Sequence, residues 1–362
     1  MRRQTARRAA LAGAALLVSG GIAVDRWVDT APLPPLLAPT SVRATDRNGI
    51  PLRVFLAADD RWRLPVALET VDPGYLAMLI AYEDKRFHDH AGVDPLALAR
   101  AARDSLLAGR IVSGGSTLTM QVARLLDGGT TGRWGGKLRQ IRLALALERA
   151  LSKREILEIY LSRAPFGGNI EGVRAAAFSW FGKDARRLSP AEAALLVALP
   201  QAPEARRPDR APEAALAARN SVLALTAAAG ALDAALLPRA RAAGVPQRRQ
   251  DFPDSAWHMA EQAREAAPEN PVLRLDVEAD TQRAVEALLL RAAASLPPGV
   301  TAAAMVYDHR ENRFRARVAA ADPGHSDRGG FIDMTRAVRS PGSTLKPFVY
   351  ALAFADGHAH PE

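Results

Sequence analysis

Apolar positions recur at helical spacing before an unusual acidic residue. In "PGYLAMLIAY", which ends just before Glu83, Leu76, Leu79 and Ile80 fall on one face of a helix. Continuing the same period brings Glu83 and then Phe87 onto that apolar face. Burying a carboxylate on a helix face is unfavourable, so such a residue is usually paired, neutral or catalytic. The pattern therefore predicts a helix that carries a chemically special glutamate.

Helical spacing continues through the following region, so residues 73–199 are predicted to be mostly helical. Ser152 with Glu155, and Ser189 with Glu192, form the S-x-x-E pattern of a capping box, which marks the start of a helix. The predicted loops in this region are 108–116, 127–136 and 164–170.

The pattern changes near residue 271. The stretches "LRLDVEA" and "TAAAMVYD" are typical of strands, a helix is predicted between them at 281–296, and "DHREN" is typical of a hairpin turn. These elements indicate the beginning of an α/β domain at 271–362. Before it, residues 209–270 are rich in Ala, Arg and Pro and are predicted to form a helical linker.

The N-terminus has the pattern of a membrane anchor. Four arginines precede an apolar run at 9–24, which is shorter than the roughly 20 residues of a spanning helix. No clean A-x-A cleavage site follows it, so we predict a signal-anchor at 1–30, and a Pro-rich linker at 31–45. A cleaved signal peptide is the alternative. The positive-inside rule then places the rest of the chain outside the cytoplasm.

Composition narrows the classes of partner. The 362 residues carry a formal net charge of +9 and no cysteine. The absence of cysteine excludes disulfides and thiolate metal sites. The positive charge favours partners that carry phosphate or an anionic membrane surface. Because the sequence has no zinc pattern, basic leucine-zipper region or RNP-like aromatic strand, nucleic acid is not a predicted partner.

Glu83 opens the polar stretch "EDKRFHDHAG". Burial on an apolar face disfavours the charged form of a carboxyl and raises its pKa. A raised pKa suits a general base that takes a proton from a sugar hydroxyl. The alternative is a surface Glu-Asp pair at a helix end.

A glycine-rich helix start follows in "SGGSTLTMQVARLL", residues 113–126. Gly114 and Gly115 allow the backbone to approach a ligand, and Ser116 is a natural N-cap. Free N–H groups at the helix start could then hold an anion, although the G-K-[ST] of a nucleotide P-loop is absent. An ordinary Gly-Ser helix cap is the alternative. The basic residues nearby that could complete a diphosphate pocket, or lie on a solvated face, are Arg124, Lys137, Arg139 and Lys153.

Three ordered motifs resemble the glycosyltransferase domain of class A penicillin-binding proteins. The family pattern E-D-x-x-F-x-x-H-x-G matches "EDKRFHDHAG", G-x-S-T-[IL]-T-x-Q matches "GGSTLTMQ", and K-x-x-I-L-E-x-Y-L matches "KREILEIYL". The segments "GGSTLTMQVARLLD" and "LSRAPFGGN" are most similar in sequence to the penicillin-binding protein 1C subgroup. The resemblance implies a mainly α-helical, lysozyme-like domain at 46–208.

The resemblance also implies an activity and its residues. The expected reaction is polymerisation of lipid II into glycan strands with release of undecaprenyl diphosphate, and Glu83 is the expected general base. A divalent cation, Mg or Mn, is a candidate cofactor at the diphosphate. The expected location is the cytoplasmic membrane, where other cell-wall synthases are candidate partners. The residues expected to bind substrate are Asp84, Phe87, His90, Gly92, Gly115, Ser116, Thr117, Gln121, Arg124, Lys137 and Lys153.

One position departs from the family pattern. Many members have R-K-x-x-E after the second motif, whereas "GKLRQI" places Gln140 where that second catalytic glutamate stands. Glutamine forms hydrogen bonds but carries no charge and is a poor substitute for a carboxylate metal ligand. The departure leaves a catalytically impaired, lipid II-binding scaffold as an alternative. A lytic glycosidase on a lysozyme-like scaffold is a further alternative, but it needs an acid and a partner group.

A second motif lies near the end of the sequence. "SPGSTLKPF" contains S-x-x-K at Ser343 and Lys346, which share a helix face, so the lysine amine could activate the serine as a nucleophile. The motif resembles that of the penicillin-binding, serine β-lactamase-like transpeptidases. S-x-N and K-T-G do not follow it. We therefore expect 271–362 to be an incomplete transpeptidase domain without transpeptidation.

Overall fold

The computed structural model describes residues 19–108, 115–128, 134–324 and 326–360. The chain divides into two units, each with its own internal contacts. The first comprises the chain up to Val42 together with Val54–Phe252. The second comprises Arg43–Arg53 and Pro253–Glu362.

The N-terminal part of the first unit begins with helix α1 at 19–29. Most of the predicted anchor, residues 1–18, lies outside the described residues. Two arginines hold α1 in place: Arg142 Nε donates to the Trp27 carbonyl at 2.7 Å, and Arg149 Nη2 pairs with Asp25 at 2.7 Å. Within the described ranges, no helix combines the length and the apolar character needed to cross a membrane.

Helices build the rest of the first unit, which confirms the mostly helical prediction for this region. They are α2 (Pro73–Glu83), α3 (Pro95–Ala108), α4 (Leu118–Asp127), α5 (Trp134–Ala150), α6 (Lys153–Arg163), α7 (Val173–Phe181), α8 (Pro190–Ala198), α9 (Pro212–Ala228) and α10 (Leu237–Ala242). A short 3₁₀ turn, Leu199–Gln201, continues α8.

Both predicted capping boxes are present. Ser152 accepts from the Glu155 backbone N–H while Glu155 accepts from the Ser152 N–H at 2.8 Å, and this exchange starts α6. Ser189 and Glu192 make the same exchange at the start of α8. These local bonds satisfy N–H groups that would otherwise lack partners, so the helices begin where the sequence predicts.

Helix α2 ends at Glu83, which corrects the prediction that Phe87 continues its apolar face. Asp84 is the C-cap, with φ −158°, and the chain turns there. Phe87 is fully buried, but it enters the core from the turn after the helix. The helical period therefore places Glu83 correctly and fails one turn later.

The core of the first unit extends beyond the predicted boundary at 208. Helix α9 packs on α8 and α2, and its side chains Ala215, Val222 and Leu223 are fully buried. Arg219 on the same helix is also fully buried, and it donates to the Arg241 carbonyl in the last turn of α10 at 3.0 Å and to the Gly244 carbonyl just after it at 3.3 Å. Residues predicted to be a linker are thus part of a packed core.

The described residues of the second unit form two small sheets and three α-helices. Strands β1 (Arg43–Thr45), β2 (Pro51–Val54) and β3 (Val272–Arg274) form a sheet in the order β2-β1-β3, with β1 and β3 parallel. Strands β4 (Ala304–Asp308) and β5 (Arg313–Val318) form the predicted hairpin. The helices are α11 (Trp257–Ala266), α12 (Ala279–Ala293), which lies between the predicted strands, and α13 (Lys346–Ala355).

Candidate active site

Glu83 lies at the end of α2 with a half-buried carboxylate. Gln121 Nε2 donates to its Oε2 at 2.8 Å, and Gln201 Nε2 donates to its Oε1 at 2.9 Å. Burial raises the pKa of Glu83 above its ordinary value, while the two amides and the charges of Arg124 and Arg206 lower it; burial prevails. The carboxylate therefore has the character of a proton acceptor with a raised pKa.

Gln201 owes its orientation to Arg206. The arginine Nη1 donates to Gln201 Oε1 at 3.0 Å and to the Ala198 carbonyl at 2.7 Å. Because the amide oxygen accepts from Arg206, the amide nitrogen is the atom that faces Glu83. Neither Gln201 nor Arg206 is predicted from the sequence, since no local spacing connects them to Glu83. A polar residue directly after the buried run of α8 was the only signal.

Asp84 and His90 fix the start of α4. The buried Asp84 carboxylate accepts from the Leu118 N–H at 2.9 Å and lies 3.0 Å from His90 Nε2. His90 Nδ1 accepts from the Gly92 N–H at 3.1 Å, so we assign the ring proton to Nε2, which donates to Asp84. These two residues support the helix that carries Gln121.

The N-cap of α4 is Thr117, so the prediction of Ser116 as the cap is wrong. Thr117 Oγ1 accepts from the Met120 N–H at 3.1 Å and donates to the Gly92 carbonyl at 2.5 Å. With the Leu118 N–H bonded to Asp84, two N–H groups expected to hold an anion are already paired within the protein. Gly114 lies outside the described residues.

Two glycines permit close packing between protein segments. Gly92 has φ +89°, and a Cβ there would lie 2.7 Å from the Ala144 carbonyl oxygen. A Cβ at Gly115 would lie 2.8 Å from Leu98 Cδ2 on α3. The close approach at Gly115 is therefore to a neighbouring helix, not the approach to a ligand that the sequence suggested.

Lys137 lies beside the N-terminal end of α4. Its Nζ donates to Ser116 Oγ at 2.6 Å and to Gln140 Oε1 at 3.0 Å, and burial together with nearby Arg124 lowers its pKa. Gln140 is buried and donates from Nε2 to the Met120 carbonyl at 2.8 Å. An ionised glutamate could not make that donation, so the amide fits the position. Lys137 consequently has neutral partners here.

Lys153 is engaged differently from the prediction of a diphosphate ligand. Its Nζ donates to Glu148 Oε1 at 2.7 Å and to the His90 carbonyl at 2.6 Å, and it lies 4.6 Å from the centroid of the Phe87 ring. Thr119 also donates to Glu148, at 2.6 Å. The amine therefore ties together the segments around the site.

Comparison with known proteins agrees with this arrangement. Residues 48–227 match the family model described as Transglycosylase. The chain is 45% identical over 325 residues to penicillin-binding protein 1C of Escherichia coli (strain K12), covering 87% of this chain and 41% of that protein. This chain belongs to the class A penicillin-binding proteins.

Other members of the penicillin-binding proteins show the same relationship. Penicillin-binding protein 1A of Aquifex aeolicus (strain VF5) is 42% identical over 161 residues, covering 44% of this chain and 22% of that protein. Penicillin-binding protein 1F of Bacillus subtilis (strain 168) is 28% identical over 334 residues, covering 89% of this chain and 46% of that protein. The chain thus spans less than half the length of these penicillin-binding proteins.

The residues around Glu83 in this penicillin-binding protein do not fit a divalent cation. Gln121 and Gln201 turn amide nitrogens toward the carboxylate, and the nearby charges are arginines. Magnesium and manganese prefer carboxylate, carbonyl and water oxygens. Across the part of the chain that the structure describes, no group of three or more His, Asp or Glu side chains could hold a metal ion.

The S-x-x-K residues lie in the second unit of this penicillin-binding protein and are both exposed. Ser343 belongs to a 3₁₀ turn, Gly342–Leu345, and Lys346 begins α13. The bond that connects them runs from the Lys346 backbone N–H to the Ser343 carbonyl. Their role as nucleophile and base stays a prediction.

Proposed function

We propose that the chain is a peptidoglycan glycosyltransferase that polymerises lipid II into glycan strands and releases undecaprenyl diphosphate. The observation that carries the proposal is the Glu83 carboxylate. It is half-buried, has a raised pKa and is oriented by two amide donors in a domain of the transglycosylase family. We assign this domain the lysozyme-like fold that the motifs imply.

In the proposed reaction Glu83 takes the proton from the acceptor sugar hydroxyl. The hydroxyl oxygen then forms a bond to the anomeric carbon of the donor while the bond from that carbon to the diphosphate breaks. The proton ends on the Glu83 carboxyl, and the electron pair leaves with the diphosphate. A carboxylate with a raised pKa is a better proton acceptor than an ordinary one, provided that it is ionised at the working pH.

Cations near Glu83 would stabilise the leaving group. Lys137 bonds only neutral partners, Ser116 and Gln140, among the described residues, and Arg124 lies close enough to both Lys137 and Glu83 to affect their pKa values. Two positive charges beside the reacting bond favour the state in which the diphosphate has become more negative. This arrangement favours transfer from a lipid diphosphate over hydrolysis of a glycan.

The proposed location is the outer face of the cytoplasmic membrane, with lipid II and the growing strand as substrates and other cell-wall synthases as partners. The arginine-rich start and the apolar run at 9–24 support this location.

A second candidate function, favoured by Gln140, is a scaffold that binds lipid II without turning it over. The amide occupies the position of the second catalytic glutamate and bonds Lys137 and the Met120 carbonyl. If the reaction requires a second carboxylate, this chain would bind the substrate and stop there.

The deciding experiment is polymerisation of labelled lipid II by the purified chain beside Glu83→Gln. We expect glycan strands from the parent and at least a hundredfold fewer from the variant. Loss of a general base lowers the rate by a factor of about 10²–10⁴. The matched control is Glu213→Gln, which removes an exposed acid at the start of α9.

Equal polymerisation by the parent and Glu83→Gln would exclude Glu83 as the base. Binding of lipid II without polymer from either protein would support the scaffold. In that case Gln140→Glu is the variant to assay next. It should restore polymerisation only if the missing carboxylate at position 140 is the cause of the loss.

A further inference from the structure

A polar cavity lies within the first unit, close to the C-terminal ends of α4 and α6. Its volume is about 300 Å³. The charged residues that line it are Asp59, Arg61, Arg63, Arg163 and Glu171, and Leu125 contributes from α4.

The cavity carries an excess positive charge. Arg63 is buried and bonds both acids, Asp59 at 2.9 Å and Glu171 at 3.0 Å. Arg61 Nη1 makes longer contacts, with Glu171 at 3.5 Å and with the Gly168 carbonyl at 3.5 Å. Three guanidinium groups against two carboxylates leave one positive charge uncompensated.

Arg163 has a donor without an acceptor. Its Nε is buried and, within the described part of the chain, has no hydrogen-bond partner. A buried N–H that is left unpaired destabilises a folded protein, so it indicates a place where a bound group completes the bonding. A guanidinium is suited to an oxyanion, which it binds through charge-assisted hydrogen bonds, two of them in parallel where the geometry allows.

The cavity is aligned with Glu83 along α4. Gln121, which bonds Glu83, and Leu125, which lines the cavity, are four residues apart, so they lie on one face about 6 Å from each other. Lys137 bonds Ser116 just before the same helix begins. The order along α4 is therefore Lys137, then Glu83, then the Arg163 cavity. Positive groups flank the base on both sides.

We propose that Arg163, supported by Arg61, binds an oxyanion of the acceptor substrate. The inference rests on the proposed function, in which the donor diphosphate lies beside Lys137 and the base stands between donor and acceptor. The oxyanion is a carboxylate of the acceptor peptide or an oxygen of the acceptor diphosphate, because both present the same chemistry to a guanidinium.

The test is the rate of polymerisation against lipid II concentration for Arg163→Gln. We expect the apparent KM to rise about tenfold, with kcat changed less than threefold, because a charge-assisted contact to the acceptor outside the reacting bond is lost. The matched control is Arg154→Gln on the same helix, whose arginine is exposed and pairs with Glu69 and Glu158. It should keep the parent KM.

Two forms of lipid II identify the source of the oxyanion. If amidation of the peptide carboxylates raises the parent KM and Arg163→Gln adds nothing further, the carboxylate is the bound group. If Arg163→Gln raises the KM by the same factor for amidated lipid II as for the ordinary form, the diphosphate is the bound group. A KM for Arg163→Gln that equals those of the parent and Arg154→Gln, with both forms, overturns the proposal.

Equilibrium binding of labelled lipid II in the Glu83→Gln background separates this proposal from the proposed function. Weaker binding after adding Arg163→Gln supports the oxyanion site even where no protein polymerises, and unchanged binding overturns it. Arg163→Lys keeps the charge but loses the planar fork, so it should recover part of the affinity. If Arg163→Gln melts at a lower temperature than the parent, Arg61→Gln provides the second variant, with a smaller rise in KM expected.

Discussion

At the scale of single residues, opposing effects set the pKa of Glu83. Burial favours the neutral carboxyl, and the donors Gln121 and Gln201 with the charges of Arg124 and Arg206 favour the ionised one. The balance leaves the pKa raised. Because a base works only when ionised, activity should fall on acidification at a higher pH than for an ordinary glutamate.

Removing one hydrogen-bond donor to Glu83 should raise the pH at which activity is lost on acidification. In Gln201→Ala the hydrogen bond to Glu83 Oε1 is lost, the ionised form is less stable, and the pKa rises further. We expect the acid limb of the kcat/KM profile for lipid II polymerisation to move up by about one pH unit. The profile of Glu213→Gln should match the parent. An unmoved limb in Gln201→Ala would show that this amide does not control the base.

Gly92 should tolerate no side chain. In Gly92→Ala the methyl group meets the Ala144 carbonyl in a backbone conformation with φ +89°, so steric conflict and strain act together. We expect the free energy of unfolding to fall by about 3 kcal/mol, measured by urea unfolding. Gly128→Ala is the control, since its φ is +59° with nothing within 4 Å, and it should lose only about 1 kcal/mol.

At the scale of elements, helix starts position the chemistry. Asp84 accepts from the first N–H of α4, Thr117 caps the same helix, and Gln121 one turn later reaches Glu83. A helix fixed at its start by two side chains presents its next turn in a defined direction. The polar residues of the first motif thus act largely by orienting α4.

The capping box of α6 gives a test at this scale. Ser152→Ala removes the side-chain acceptor for the Glu155 N–H, and we expect a loss of about 1 kcal/mol in the free energy of unfolding. Ser221→Ala is the control, because that hydroxyl bonds Ala217 on an exposed turn within α9 and should change stability by less than about 0.5 kcal/mol. Equal losses in the two variants would contradict a capping role.

At the scale of the whole molecule, the transglycosylase unit should need α9 and α10. A fragment covering 31–252 keeps Val222 and Leu223 buried against α8 and α2, whereas a fragment covering 31–208 exposes the surface that they cover. Each of these side chains stabilises the fold by about 1.5–3 kcal/mol when buried.

We therefore expect cooperative thermal unfolding, followed by circular dichroism, from the 31–252 fragment. The 31–208 fragment should show a broad transition or aggregate. A sharp transition from the shorter fragment at the same temperature would mean that α9 adds nothing to the stability of this unit.

The sequence by itself determined the features that depend on neighbours along the chain. The capping boxes of α6 and α8, the hairpin between β4 and β5, and the place of Glu83 on the same helix as the apolar run before it all follow from residues within a few positions of each other. The family motifs are of this kind too, since each occupies about ten consecutive residues.

The tertiary structure alone decided which distant residues complete the site. Gln201 reaches Glu83 across 118 residues of sequence, and Arg63 meets Glu171 across 108. It also decided that Thr117 bonds the Gly92 carbonyl and that Gln140 bonds the Met120 carbonyl. The physical reason is that local periodicity and caps fix each helix, whereas the pairing of side chains between helices depends on how buried surfaces pack, which no short stretch of sequence encodes.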